Sequence, residues 1–225
     1  IDSPRVDLKP IPVYEDGEMA YFSTHYYGGI KKYQWTCMPL ALHGVIYKQD
    51  GEKVEICIGE DEDDPIFVFN DLLPHLGRKQ MQKKGNNVVE GEELRLLIGG
   101  RPYEDKDASD RYKLEILRLL NEKYGIVERD FITSELSIVP ATKARDLGFD
   151  RSFVASYGQD DRVCGYTALR AVMTMDKPQR TTVVMLSDKE EIGSEGNTGA
   201  QSALYENFFR EVFFKRHGSH DEIEY

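Results

Sequence analysis

Thr181-Thr182-Val183-Val184-Met185-Leu186-Ser187 runs directly into Asp188-Lys189-Glu190-Glu191-Ile192-Gly193. The first seven residues are mostly β-branched or apolar with no polar alternation, the pattern of a strand covered on both faces by helices. A helical stretch around Val163 to Met175 precedes it. Another follows from about Thr198 to Lys215, where Leu204, Phe208 and Val212 recur four residues apart. Helix, buried strand, helix is α/β organisation. It places Asp188, Glu190 and Glu191 at the carboxyl end of the strand, where open α/β sheets bind ligands.

The preceding part reads differently. Leu40 to Lys48 alternates, Asp50-Gly51 signals a hairpin, and Val54, Ile56 and Ile58 alternate on the return. Pro65 to Asn70, Leu94 to Ile98 and Phe131 to Val139 read as further strands, and Arg78 to Asn87 as a polar loop. A helix is predicted over Ser109 to Tyr124, with Leu117, Leu120 and Tyr124 on one face and Gly125 as its stop. This part is β-rich without a βαβ rhythm. The change of character puts a domain boundary near residues 140–145.

Composition narrows the function classes. The 225 residues carry a net charge of −11, which repels phosphate backbones and excludes nucleic acid as a partner. Forty per cent of the residues are hydrophobic, enough for a folded core. The three cysteines, Cys37, Cys57 and Cys164, form no CxxC, so neither a disulfide framework nor a zinc finger is predicted. A reducing, cytoplasmic setting fits that usage. No apolar run reaches the roughly 18 residues of a membrane helix, and the opening Ile1-Asp2-Ser3-Pro4 is not a signal peptide.

Two acidic pairs carry the candidate chemistry: Asp160-Asp161 and Glu190-Glu191. Crowded carboxylates repel unless a cation compensates them, and a divalent metal is the usual answer. Metal-assisted hydrolysis needs carboxylates on the metal and one more held off it as a base, and adjacent glutamates can divide those tasks. The remaining candidates have plainer readings. His25 and His43 read as packing or surface residues, Glu60 to Asp64 as a solvated turn without EF-hand spacing, and Cys164 as a small hydrophobe on a helix. His217 and His220 read as surface histidines.

Several segments, in order, resemble the M18 family of metallo-aminopeptidases (aspartyl aminopeptidase and aminopeptidase I). Asp2-Ser3-Pro4-Arg5-Val6-Asp7-Leu8-Lys9-Pro10 is similar to the family's segment after its first zinc-binding histidine. Tyr27-Gly28-Gly29 with Trp35, Leu40-Ala41-Leu42-His43-Gly44 and Asp71-Leu72-Leu73-Pro74-His75-Leu76 resemble its next motifs. Tyr157-Gly158-Gln159-Asp160-Asp161-Arg162 and Asp188-Lys189-Glu190-Glu191-Ile192-Gly193-Ser194 resemble its two acidic motifs.

The resemblance implies an α/β fold in two domains. Residues 1–3 and 144–225 would be part of an α/β zinc-peptidase domain, and 4–143 an inserted, largely β dimerisation domain. It implies two Zn2+ per subunit in an intact enzyme that removes the N-terminal residue from peptides, as a homo-oligomer built from dimers, with no membrane partner. Asp160 would bridge the metals and Glu191 would ligate one. Glu190 would be the general base, and Asp2 would orient the first ligand histidine. His75 would contact substrate in a neighbouring subunit. The first ligand histidine would fall just before Ile1 and the last two ligands beyond Tyr225, so the chain would be a fragment, inactive by itself. The resemblance also implies a cis bond between Asp160 and Asp161 in the intact enzyme. The competing expectation is a non-catalytic assembly module whose acidic pairs are inert.

Overall fold

A computed structural model describes residues 1–218. The chain divides into two compact units, one of residues 5–157 and one of residues 1–4 with 158–225.

The larger unit is a seven-stranded antiparallel sheet. Its strands are β1 (Arg5–Asp16), β2 (Met19–Tyr27), β3 (Leu40–Tyr47), β4 (Lys53–Ile58), β5 (Val68–Phe69), β6 (Leu96–Gly99) and β7 (Ser134–Pro140), in the order β4-β3-β7-β1-β2-β6-β5. The hairpin read at Asp50-Gly51 joins β3 to β4, and the Asp50 carboxylate accepts the Glu52 N–H at 3.0 Å. Along β4 the alternation holds: Ile56 and Ile58 are buried while Lys53, Glu55 and Cys57 face out. The core is formed by residues such as Val6, Phe22, Leu40, Ile46, Leu96 and Ile138.

The longest strand pair, β1 with β2, escaped the sequence reading. Pro10 and Pro12 interrupt its ladder, and the register shifts between Leu8 and Val13, with Ile11 at φ 52°. Proline inside a strand pattern argues against a strand, and here a bulge accommodates it.

A four-residue helix, α1 (Lys32–Trp35), links β2 to β3. The predicted longer helix is α2 (Arg111–Tyr124), which packs Leu117, Leu120 and Tyr124 on the core. It ends at Gly125, left-handed at φ 66°, whose N–H bonds Asn121 at 2.8 Å. At its start, the Glu15 carboxylate of β1 accepts the Tyr112 and Lys113 N–H groups at 2.8 and 3.0 Å. Those are orphan donors at the positive end of the helix dipole, so α2 is fixed to the sheet. Residues 78–87 form turns and loops, as read. After β7 a small hairpin of β8 (Arg145–Leu147) and β9 (Phe153–Ala155) closes the unit.

The smaller unit contains α3 (Gln159–Met173) and α4 (Ala203–His217). The strand expected at 181–187 is not formed: these residues join no ladder, and Val183 is 47% and Leu186 43% exposed. A strand buried on both faces needs strands beside it, and among the described residues of this unit 181–187 pair with none, although α3 lies against Leu186 at Gly165. Neither α3 nor α4 buries a residue. His217 ends α4 and stacks on Phe213, and His220 lies outside the described residues.

Gly44 marks the tightest point of the sheet. It sits mid-β3 at φ 138°, paired with Ile56 on one side and Leu136 on the other. A Cβ there would collide with the Glu135 carbonyl oxygen. Gly44→Ala must therefore part β3 from β7 and strain the backbone as well. The expected loss is at least about 2 kcal/mol, read as a lower urea midpoint. An unchanged midpoint would show that this approach has slack.

Candidate active site

The smaller unit gathers acidic groups from three stretches of sequence. Asp2 precedes β1, Asp160 and Asp161 open α3, and Glu190 and Glu191 open a 3-10 turn spanning Glu190–Ile192. Asp2 is the pivot. It is only 5% exposed, its N–H donates to the Asp161 carboxylate at 2.9 Å, and its own carboxylate accepts the Glu191 N–H at 3.1 Å. Arg162 donates to the Asp2 carbonyl at 3.2 Å. These bonds hold the two acidic pairs against the same residue.

Local backbone shapes serve that arrangement. Gly158 caps α3 in a left-handed conformation at φ 71°, where a Cβ would press on the Ser3 hydroxyl. Asp160 lies inside α3 but is not helical, at φ −76° and ψ 126°, so its side chain leaves in a different direction from its neighbours'. No cis bond is present at Asp160-Asp161 in this structure, whereas the expectation concerned the intact, zinc-loaded enzyme. A cis bond at a non-proline residue costs roughly 2.5–4 kcal/mol, and the kink at Asp160 redirects the chain without it.

The electrostatics separate the groups. Glu190 is exposed, yet its carboxyl titrates above the ordinary glutamate range. The Asp161 charge is the largest cause, followed by partial desolvation and by Glu191, Asp160 and Asp2. Asp188 goes the other way. Desolvation is its largest single influence, but the Lys189 N–H, the Thr198 hydroxyl at 3.0 Å and the Lys189 ammonium at 3.2 Å together lower it. Asp188 is compensated by its own neighbours, whereas the charges that act on Glu190 are all of its own sign. A shallow hollow of about 230 Å³ beside Glu190 is lined by Asp161, Cys164, Met185 and Leu186 among others.

Asp2, Asp160, Glu190 and Glu191 thus share one unit. His75 belongs to the larger unit, on an exposed turn beside an open cleft of about 840 Å³ with Arg78, Lys79, Lys83 and Arg95 on its walls. Asp161 is the residue the sequence reading passed over. It acts most strongly on Glu190 and anchors Asp2, and its only signal was membership of an acidic pair already singled out.

Carboxylates gathered so that the others raise the pKa of Glu190, with oxygen donors only, suit a hard or borderline divalent cation. The class defined is therefore a mixed α/β chain carrying an acidic centre of the kind that can hold a divalent cation. The comparisons make it specific. The chain belongs to the M18 peptidase family, whose model, described as aminopeptidase I zinc metalloprotease (M18), matches residues 1–224. A "Probable M18 family aminopeptidase 1" of Clostridium acetobutylicum is 52% identical over 224 residues, covering 100% of this chain and 48% of that protein. The protein of the same description from Thermotoga maritima is 48% identical over 223 residues, covering 98% and 48%. The crystal structure of an M18-family aminopeptidase from Thermotoga maritima superposes with a TM-score of 0.91 at 46% identity, covering 97% of this chain and 48% of that one. The chain spans about half the length of the relatives it matches.

If mutual repulsion governs Glu190, removing its charge relaxes the fold. A carboxyl whose pKa is raised in the folded state destabilises that state when ionised. The penalty is complete above the folded pKa and absent below the unfolded one. Chelator-treated Glu190→Gln is therefore expected to melt higher than the parent near neutral pH, with the gain vanishing well below the ordinary glutamate range. Melting curves across pH check this; a gain that persists in acid would assign the effect to something other than charge.

Proposed function

We propose that this chain is part of an M18-type two-zinc aminopeptidase that removes the N-terminal residue from peptides, with Asp160 and Glu191 among the metal ligands and Glu190 as general base. The observation that carries the proposal is the tethering of both acidic pairs to Asp2 in a chain matched by the family along nearly its whole length. Two zinc ions would be held by Asp160, bridging, and Glu191, together with ligands from the half of the relatives' length that this chain does not span. Zinc supplies Lewis acidity that polarises the scissile carbonyl and makes water more acidic.

The chain's own residues do the rest. A Glu190 carboxylate oxygen takes a proton from the attacking water and returns it to the leaving amine. A pKa raised towards the working range suits a group that must accept and then release a proton. The Glu191 backbone, fixed by the Asp2 carboxylate, sets where both glutamates begin. In the intact protein Asp2 would also orient the first ligand histidine.

Residues 1–3 and 144–225 would be peptidase and 4–143 the dimerisation domain, whose His75 reaches substrate in a neighbouring subunit of an oligomer built from dimers. The exposed apolar residues of 181–187, α3 and α4 would be covered by the rest of the peptidase domain. An inert assembly module is not favoured, since the family match spans the acidic segments as well as the sheet.

The test is Glu190→Gln in the full-length protein. Zinc content should stay at the parent's level while turnover falls by about 10²–10⁴. Near-normal kcat at full zinc occupancy would move the base elsewhere.

A further inference from the structure

His43 was read as a packing residue, but the sheet places it directly opposite Cys57 across the β3–β4 pair. Glu60 follows β4 and turns back towards both. Its Oε1 lies 3.3 Å from His43 Nε2, and its Oε2 lies 4.0 Å from the Cys57 sulfur. The three ligand atoms lie within 4.8 Å of one another. Among the described residues this is the one group of histidine, cysteine and carboxylate side chains so closely gathered.

Two features separate this trio from a chance surface contact. The Nε2 atom of His43 is shut off from solvent and makes no hydrogen bond, although the imidazole as a whole is partly exposed. A shielded ring nitrogen whose nearest acceptor, the Glu60 carboxylate at 3.3 Å, is out of hydrogen-bond geometry is costly unless something binds it. The loop carrying Glu60 is also fixed. Gly59, at φ 109°, packs against Ala41, where a Cβ would be tight, and donates its N–H to the Asp64 carboxylate at 3.0 Å. The Asp64 N–H bonds the Asp61 carbonyl at 3.1 Å. The turn is held by its own bonds, leaving the Glu60 carboxylate to face the hairpin.

We infer that His43, Cys57 and Glu60 form a binding site for a zinc-type divalent cation, built from none of the carboxylates of the acidic centre. The donors are an imidazole nitrogen, a thiolate and a carboxylate, a mixture that suits Zn2+ and its spectroscopic surrogate Co2+. Bond lengths of about 2.0–2.3 Å in a tetrahedron put neighbouring ligand atoms roughly 3.3–3.8 Å apart, so only small side-chain adjustments close the site. Binding exchanges the Cys57 thiol proton for the metal and releases that proton to solvent. Three protein ligands leave the fourth position to water or to Asp61. The ion would clip the outer strand β4 and its following turn to β3.

The test uses the full-length protein, stripped by chelator and titrated with Co2+. A thiolate-to-cobalt charge-transfer band in the near ultraviolet is expected, which carboxylate and imidazole ligands do not give. It should persist in Cys164→Ser, a necessary control because Cys164 lies beside the acidic centre. It should vanish in Cys57→Ser, with loss of one equivalent of bound zinc. Glu60→Ala, on an exposed turn and remote from the core, should weaken Co2+ binding at this band by at least about 10-fold. Absence of the band in the parent, or its survival in Cys57→Ser, overturns the site, and neither result bears on the acidic centre.

Discussion

The acidic centre depends on one buried residue at the start of the chain. Asp2 is bonded to groups 159 and 189 positions away, so the chain must leave the smaller unit, build the whole sheet and return at Gly158 before the centre exists. Long loops cost little extra entropy as they lengthen, but their two ends must be fixed by something. Here the fixing is polar. A backbone N–H and a carboxylate of one residue satisfy a partner on each side, and a buried carboxylate with good partners is far better tolerated than one without. The sheet between the two ends is free to be large because closure does not depend on its length.

That closure brings like charges together. Asp161 and Glu190 would lie apart in an unstrained acidic surface, whereas Asp2 draws their segments to a common point. The contrast with Asp188 explains why the acidic residues of one segment titrate in opposite directions. Asp188 has a hydroxyl, an N–H and an ammonium within reach, and is a satisfied structural group. Glu190 has neighbouring carboxylates instead.

Much of this was legible in the sequence, and the failures have physical causes. The hairpin at Asp50-Gly51 and the helix ending at Gly125 follow from turn and cap chemistry within a few residues, so local reading sufficed. Strand β1 was missed because Pro10 and Pro12 break the expected alternation and a bulge, invisible in composition, restores the ladder, and β2 went unread with its partner. The stretch Thr181 to Ser187 was read as a buried strand because its residues are β-branched, yet burial depends on neighbours and not on the segment itself. In the centre, the acidic pairs stood out by their place in the sequence, and Asp2 came from motif resemblance. The dominance of Asp161 over Glu190 did not, because it rests on a hydrogen bond spanning most of the chain. His43 and Cys57 are 14 positions apart and become neighbours only through the register of β3 on β4.

The two borders of the large sheet are unlike each other. On one side β5 contributes just the pair Val68–Phe69, too short to template a further strand. On the other, β4 presents six residues of open hydrogen-bonding edge. Its outward side chains include Lys53 and Glu55, joined at 2.7 Å. A foreign strand docking there would have to crowd or desolvate that ion pair, a common natural defence against edge-to-edge association. The longer border is thus kept wet by charge and the shorter by brevity, and the two meet where Phe67, just before β5, exchanges backbone hydrogen bonds of 2.9 Å with Leu40 of β3.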